Sequence, residues 1–239
     1  MASRLTALTS RSLVRAGRLP LLFGLLLGAG AIAVNSLVYF KGDEVPPFVI
    51  EKLPLPLEAV WLVALKVHVV AASFCLPACI LLQWKGLLRR APRAHRWLGR
   101  TTGVAVLFAL APSGIYLAFF AKGGLLGTLG FLVSAAITAV AMVQGIRKAR
   151  AGLFAEHRQA ALHVLAQLSV AVTSRVLLIV LEVAGLDPDP AYLLALWLPV
   201  LGSAAFVQLT PRKRRNHEDH GDLRAIGDLR TDRFAGERV

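Results

Sequence analysis

Apolar residues run along this chain in long blocks instead of alternating with polar ones. Six blocks reach the roughly 20 residues that a helix rising about 1.5 Å per residue needs to cross a hydrocarbon core of about 30 Å. They cover Arg18 to Phe40, Glu58 to Trp84, Gly99 to Ala121, Leu125 to Ile146, Gln159 to Ala184 and Ala191 to Leu209. The pattern predicts an all-α integral membrane bundle of six transmembrane helices.

Composition agrees and narrows the class. Of 239 residues, 56% are hydrophobic and 17% charged, and the mean hydropathy is +0.63. Such a chain carries too little polar surface for an ordinary soluble domain and too much apolar content for a disordered one.

Charge then orients the helices. Lys and Arg number 27 against 14 Asp and Glu, an excess that suggests nucleic acid only where the cations share a surface. Here they sort by connection. The N-terminal arm (Arg4, Arg11, Arg15, Arg18), the second-to-third connection (Lys85, Arg89, Arg90, Arg93, Arg96, Arg100), the fourth-to-fifth (Arg147, Lys148, Arg150, Arg158) and the tail together hold 22. The other side has Lys41, Lys52 and Lys122, together with the acids Asp43, Glu44, Glu51, Asp187 and Asp189. The positive-inside rule places both termini in the cytoplasm, with the chain in the inner membrane of a cell or, alternatively, the mitochondrial inner membrane. No nucleic-acid partner is expected. The partners implied are the bilayer and anionic lipids at its cytoplasmic face.

Three regions follow: a basic cytoplasmic arm over 1–17, the membrane domain over 18–210, and a disordered cytoplasmic tail over 211–239 whose cluster Arg212 to Arg215 lies next to the membrane. A basic arm followed by an apolar core also resembles a cleavable signal or transit sequence. Retention is the expectation, because the apolar run continues through Tyr39 and Phe40. The loop before the second helix carries Pro46, Pro47, Pro54 and Pro56 and is expected to be ordered by stiffness, not by a fold.

Polar groups inside spans are costly and point to sites. Counted along each helix, Asn35, His68, Tyr116 and Arg175 all lie about 24–26 Å from the cytoplasmic boundary. One reading is a ligand pocket open to the outer side, with Arg175 anchoring an anion or carbonyl and His68 exchanging a proton. The other is structural: His68 and Arg175 satisfy helix carbonyls and each other, and Tyr116 belongs to an interfacial aromatic belt. Lys66, about 200° around the helix from His68, is expected to snorkel outward. Cys75 and Cys79, four apart within one span, read as buried thiols without a disulfide.

Haem b is the cofactor to test in a small helical bundle with histidines. Two axial imidazoles need matched depth. His68 at about 24 Å and His163 at about 6 Å from the cytoplasmic boundary do not share an iron. A haem reading therefore rests on His163, with Met142 the one other strong ligand near its level. At the cytoplasmic rim, His95-Arg96, Arg100 and the second pair His157-Arg158 suit contact with a lipid headgroup or anion, Arg through bidentate hydrogen bonds and His through a titratable one. Topogenic charge is the alternative, and it accounts for Arg but not for a His in each pair.

The order His68, Gln83, His95-Arg96-x-x-Gly99-Arg100, Gly114, His157-Arg158 and Val172-Thr173-Ser174-Arg175 resembles the predicted membrane proteins grouped as domain of unknown function 2306. The resemblance covers roughly Lys66 to Leu178 and implies a mostly bacterial multi-pass membrane protein without an established activity. Where that family follows its second His-Arg with Trp-Met and then Arg, this chain has Ala160, Ala161 and His163.

Three functions are consistent with these residues. The first is a non-haem membrane protein that binds a small amphiphile, quinone-like or lipid-derived, at His68 and Arg175. The second is a b-type haem electron carrier using His163. The third is a non-catalytic subunit whose protein partner supplies the chemistry. No catalytic triad or phosphate loop is present.

Overall fold

Six long helices carry the apolar blocks: α1 (Pro20–Phe40), α2 (Glu58–Leu82), α3 (Pro92–Ala118), α4 (Gly124–Arg150), α5 (Phe154–Val183) and α6 (Pro188–Leu209). Each is long and apolar enough to span a bilayer. The structure, a computed structural model, describes residues 20–40, 47–50, 54–55 and 57–209, and these contain no strand. The arm over 1–17, the tail over 211–239 with Arg212 to Arg215, and the loop acids Asp43, Glu44 and Glu51 lie outside the described residues.

Helices run further than the apolar blocks at the end where the basic connections gather, called here the basic end. α3 begins at Pro92, α4 continues to Arg150 and α5 begins at Phe154. Hydropathy marks only the lipid-facing core, whereas the helix itself tolerates charge. Pro92 suits the first turn of α3 because the N–H it lacks would have no partner there. Arg147, Lys148 and Arg150 in the last turn of α4, and Glu156 in the first turn of α5, favour the helix dipoles.

The bundle is built on α5. Its most extensive packing is against α4 and α6, while α2 lies against both α3 and α5. α1 joins through Leu25 and Ala29, which share a core with Leu76, Cys79, Val164, Leu165 and Val172. Small residues set the closest approaches: Gly28 faces the Val172 side chain, and a β-carbon at Gly130 would lie 2.6 Å from Leu196 Cδ2. Because lipid tails are as apolar as leucine, such contacts and interhelical hydrogen bonds hold spans together. The exterior is correspondingly greasy, with Phe108 78% and Val183 84% exposed.

One polar node ties three helices. Gln167 on α5, 3% exposed, accepts at 2.9 Å from Ser134 Oγ of α4. Its amide donates to the Val200 carbonyl at 3.0 Å and to Ser203 Oγ at 3.1 Å, both on α6. Cys75 and Cys79 are buried free thiols, as their spacing suggests. The proline-rich loop is more than stiff: Pro47–Ile50 forms a helical turn, and Val49, 1% exposed, packs with Trp61 and Leu65.

Replacing Gln167 with Leu leaves Ser134 and Ser203 without this partner and removes the links between three helices. We expect a loss of about 1 kcal/mol, read as an earlier midpoint when the protein is unfolded from bicelles with SDS. An unchanged midpoint would show that the node contributes nothing to stability.

Candidate functional site

His68 is placed by an irregularity in the neighbouring helix. α3 widens into a π turn over Val106–Leu110, directly before Pro112, which has no N–H to give the ladder. His68 Nδ1 lies 3.2 Å from the Leu110 carbonyl and 3.2 Å from Ser113 Oγ. The carbonyl accepts, so Nδ1 carries the proton. Ser113 in turn donates to the Ala109 carbonyl at 2.6 Å. Gly114 makes room: a β-carbon there would sit 3.0 Å from His68 Cε1. His68 is thus a polar bolt between α2 and α3.

Arg175 looks elsewhere. Its guanidinium donates to the Ala171 carbonyl one turn back, at 2.6 Å, and lies within electrostatic range of Tyr39 on α1 and Tyr192 on α6. Asn35 is exposed on α1. Tyr116 packs on Phe120 with ring centroids 5.4 Å apart, in the apolar cluster of Val49, Trp61 and Leu65. Of the four polar groups expected at one level, His68, Tyr116 and Arg175 therefore make contacts with different partners. Lys66 is exposed with its ammonium 5.9 Å from the Phe40 ring centroid.

The basic end brings its two motifs together. His95 on α3 and His157 on α5 lie within electrostatic range of each other, although their helices do not pack directly. α4 fills part of the space between them: His157 Nδ1 donates to the Gly145 carbonyl at 2.8 Å. A β-carbon at Gly145 would meet Nδ1 at 3.8 Å, an ordinary contact distance. His95 Nδ1 is buried without a hydrogen-bond partner among the described residues. Arg96, Arg100 and Arg158 are exposed beside them, with the Arg100 guanidinium 5.5 Å from the Trp97 ring centroid. A carboxylate in the first turn of α5, Glu156, pairs with Lys148.

His163 borders a separate polar cavity of about 80 Å³, lined also by Gln144, Lys148, Glu156, Gln159 and Gln208. Both of its ring nitrogens are buried without a partner among the described residues. These surroundings do not fit a haem, because the cavity is well below the roughly 300–1,000 Å³ of even a drug-sized ligand site. No second histidine and no methionine among the described residues lines it. Among the described residues, no group of three or more His, Cys, Asp or Glu is arranged to hold a metal. Sequence reasoning missed the glutamines here and at Gln167, although an amide within an apolar block is the visible sign of such a node.

The His68 seat can be tested directly. Gly114→Val forces branched carbons into the imidazole and separates α2 from α3, so the detergent-solubilised protein should melt several degrees earlier. Gly99→Val, at a position with open space around it, should melt close to wild type; equal losses in both would mean that the fit at His68 is not what Gly114 provides.

No curated protein and no solved structure matches the chain significantly. A family model described as a predicted membrane protein (DUF2306) matches residues 65–211, more than half of the chain and the whole stretch from His68 through Arg175. With six apolar helices of spanning length, the chain is an integral membrane protein and belongs to the DUF2306 family.

Proposed function

We propose that this protein sits in the inner membrane with both termini in the cytoplasm and binds the phosphate-bearing headgroup of an anionic amphiphile at its basic end. The observation that supports this reading is the convergence of the two His-Arg pairs, with His95 and His157 in electrostatic reach of each other. Arginines flank both histidines, and Glu156 is already engaged by Lys148. A cation-rich surface of this kind repels a metal ion and attracts an anion. Arg96, Arg100 and Arg158 supply the planar forks that match phosphate oxygens. His95 Nδ1, buried and without a partner among the described residues, is the group that gains most from a phosphate oxygen. His157 has a fixed orientation, since its Nδ1 is committed to Gly145 and its Nε2 remains for the ligand.

A second reading keeps a quinone-like or lipid-derived amphiphile in the outer half. Arg175 favours it: an exposed cation whose charge lies in range of Tyr39 and Tyr192 suits an acidic or carbonyl head. His68, Asn35 and Tyr116 then act as neighbours that shape the bundle around it.

In nanodiscs of phosphatidylcholine doped with phosphatidylglycerol, the purified protein should retain the anionic lipid preferentially. Each of Arg96→Gln and Arg158→Gln should weaken that retention by about tenfold, whereas Arg175→Gln, at the other end, leaves it unchanged. Equal retention of both lipids by wild type would remove the basis of the reading. Orientation is read separately: a reporter fused to the C-terminus should be active only on the cytoplasmic side, and activity on the outer side would reverse the assignment of ends.

A further inference from the structure

A groove of about 450 Å³ opens on the face of the bundle away from α6, where α2 and α3 meet the end of α1. Its floor is made of small residues, Ala71, Ala105 and Ala109, its walls include Val70 and Phe74, and Phe40 and Lys66 stand at its outer end. The groove has a structural cause. The π turn over Val106–Leu110 holds Val106 fully buried against Cys75 and Ala71, and leaves Ala105 and Ala109 half-buried along the groove. The wall residues Val70 and Phe74 are exposed, so the groove fills from the bilayer and not from water.

Its dimensions and charge specify an occupant. From Lys66 to Phe74 is a rise of about 12 Å, most of the roughly 15 Å of hydrocarbon in one leaflet. The lining is apolar except for a single cation, Lys66, at the end nearest the start of α2. Among the described residues no carboxylate pairs with Lys66, whose ammonium instead lies 5.9 Å from the Phe40 ring centroid. An ammonium within a span is costly unless it reaches an anion or the interface. We propose that this groove binds one acyl chain of an anionic phospholipid from the leaflet opposite the basic end, with the lipid phosphate on Lys66 and the chain laid over Ala71, Ala105 and Ala109.

The site is independent of the headgroup contacts at the basic end, and its test separates the two. Full-length protein is reconstituted with phosphatidylglycerol or phosphatidylcholine carrying the same acyl chain with a photoactivatable diazirine, and the cross-linked residues are mapped. Wild type should label on the Val67–Phe74 and Ala105–Ala109 segments, with phosphatidylglycerol favoured about fivefold, the gain of one lysine near a charged lipid surface. Lys66→Met should abolish that preference, Lys66→Arg should keep it, and Ala105→Leu, which fills the floor, should reduce labelling by both lipids. Labelling that ignores lipid charge, a preference that persists in Lys66→Met, or a groove cross-linked to a second copy of the chain would each overturn the proposal. Loss of groove labelling in Arg96→Gln would also overturn it, by making the groove a dependent of the other end.

Discussion

Hydrocarbon offers no hydrogen bonds, and the arrangement of this bundle depends on that constraint more than on any other. Apolar side chains gain little by leaving lipid for one another, so the helices do not find their neighbours by hydrophobic burial alone. What selects a neighbour is a polar group that needs a partner. Gln167 reaches Ser134 on one side and Val200 with Ser203 on the other, fixing α4, α5 and α6 together. His68 finds the Leu110 carbonyl beside the π turn, and that contact seats α2 on α3. His157 donates to Gly145, which sets the basic end of α5 against α4. A glycine acts with one of these groups, since Gly114 leaves the space that the His68 imidazole fills.

Once the helices are so fixed, the two ends acquire different chemistry. At the basic end the starts of α3 and α5 carry the same dipeptide, and antiparallel neighbours bring the two copies to one level, with α4 between them. Exposed arginines stand beside both histidines there, and Nδ1 of His95 has no partner among the described residues. At the other end the described residues carry few cations. Lys122 meets the exposed Asp189 at 3.5 Å, a surface pair worth little, while Lys66 stands by the Phe40 ring and Arg175 within electrostatic range of two phenols. The bundle thus pairs a cluster of exposed arginines at the basic end with isolated cations within its spans.

Much of this was legible in the sequence because hydropathy and charge bias act on whole segments. The six spans follow from block length, and the family follows from the spaced His, Gly and Arg positions. Segment-scale signals also explain the misplaced starts of α3 and α5, where the helix continues through charged turns that hydropathy cannot register. The site was less legible. Position along a helix is legible in the sequence, but it does not fix azimuth across the bundle, and the hydrogen bonds of His68 and Arg175 run to Leu110 and Ala171. The π turn that creates both the His68 seat and the groove depends on how Pro112 is accommodated against α2, which no single-helix pattern reports. Gln167 was visible as a lone amide, yet its partners lie 33 residues away in each direction.

The most direct measurement is the distance between lipid phosphorus and histidine nitrogen in bilayers, read by phosphorus–nitrogen dipolar dephasing in solid-state NMR of protein labelled at histidine and reconstituted with phosphatidylglycerol. The account predicts dephasing of the His95 and His157 side-chain signals, assigned by their loss in single-histidine variants, and none for His68, which is committed to α3 inside the hydrocarbon. Dephasing absent from both rim histidines, or equal at His68, would contradict it.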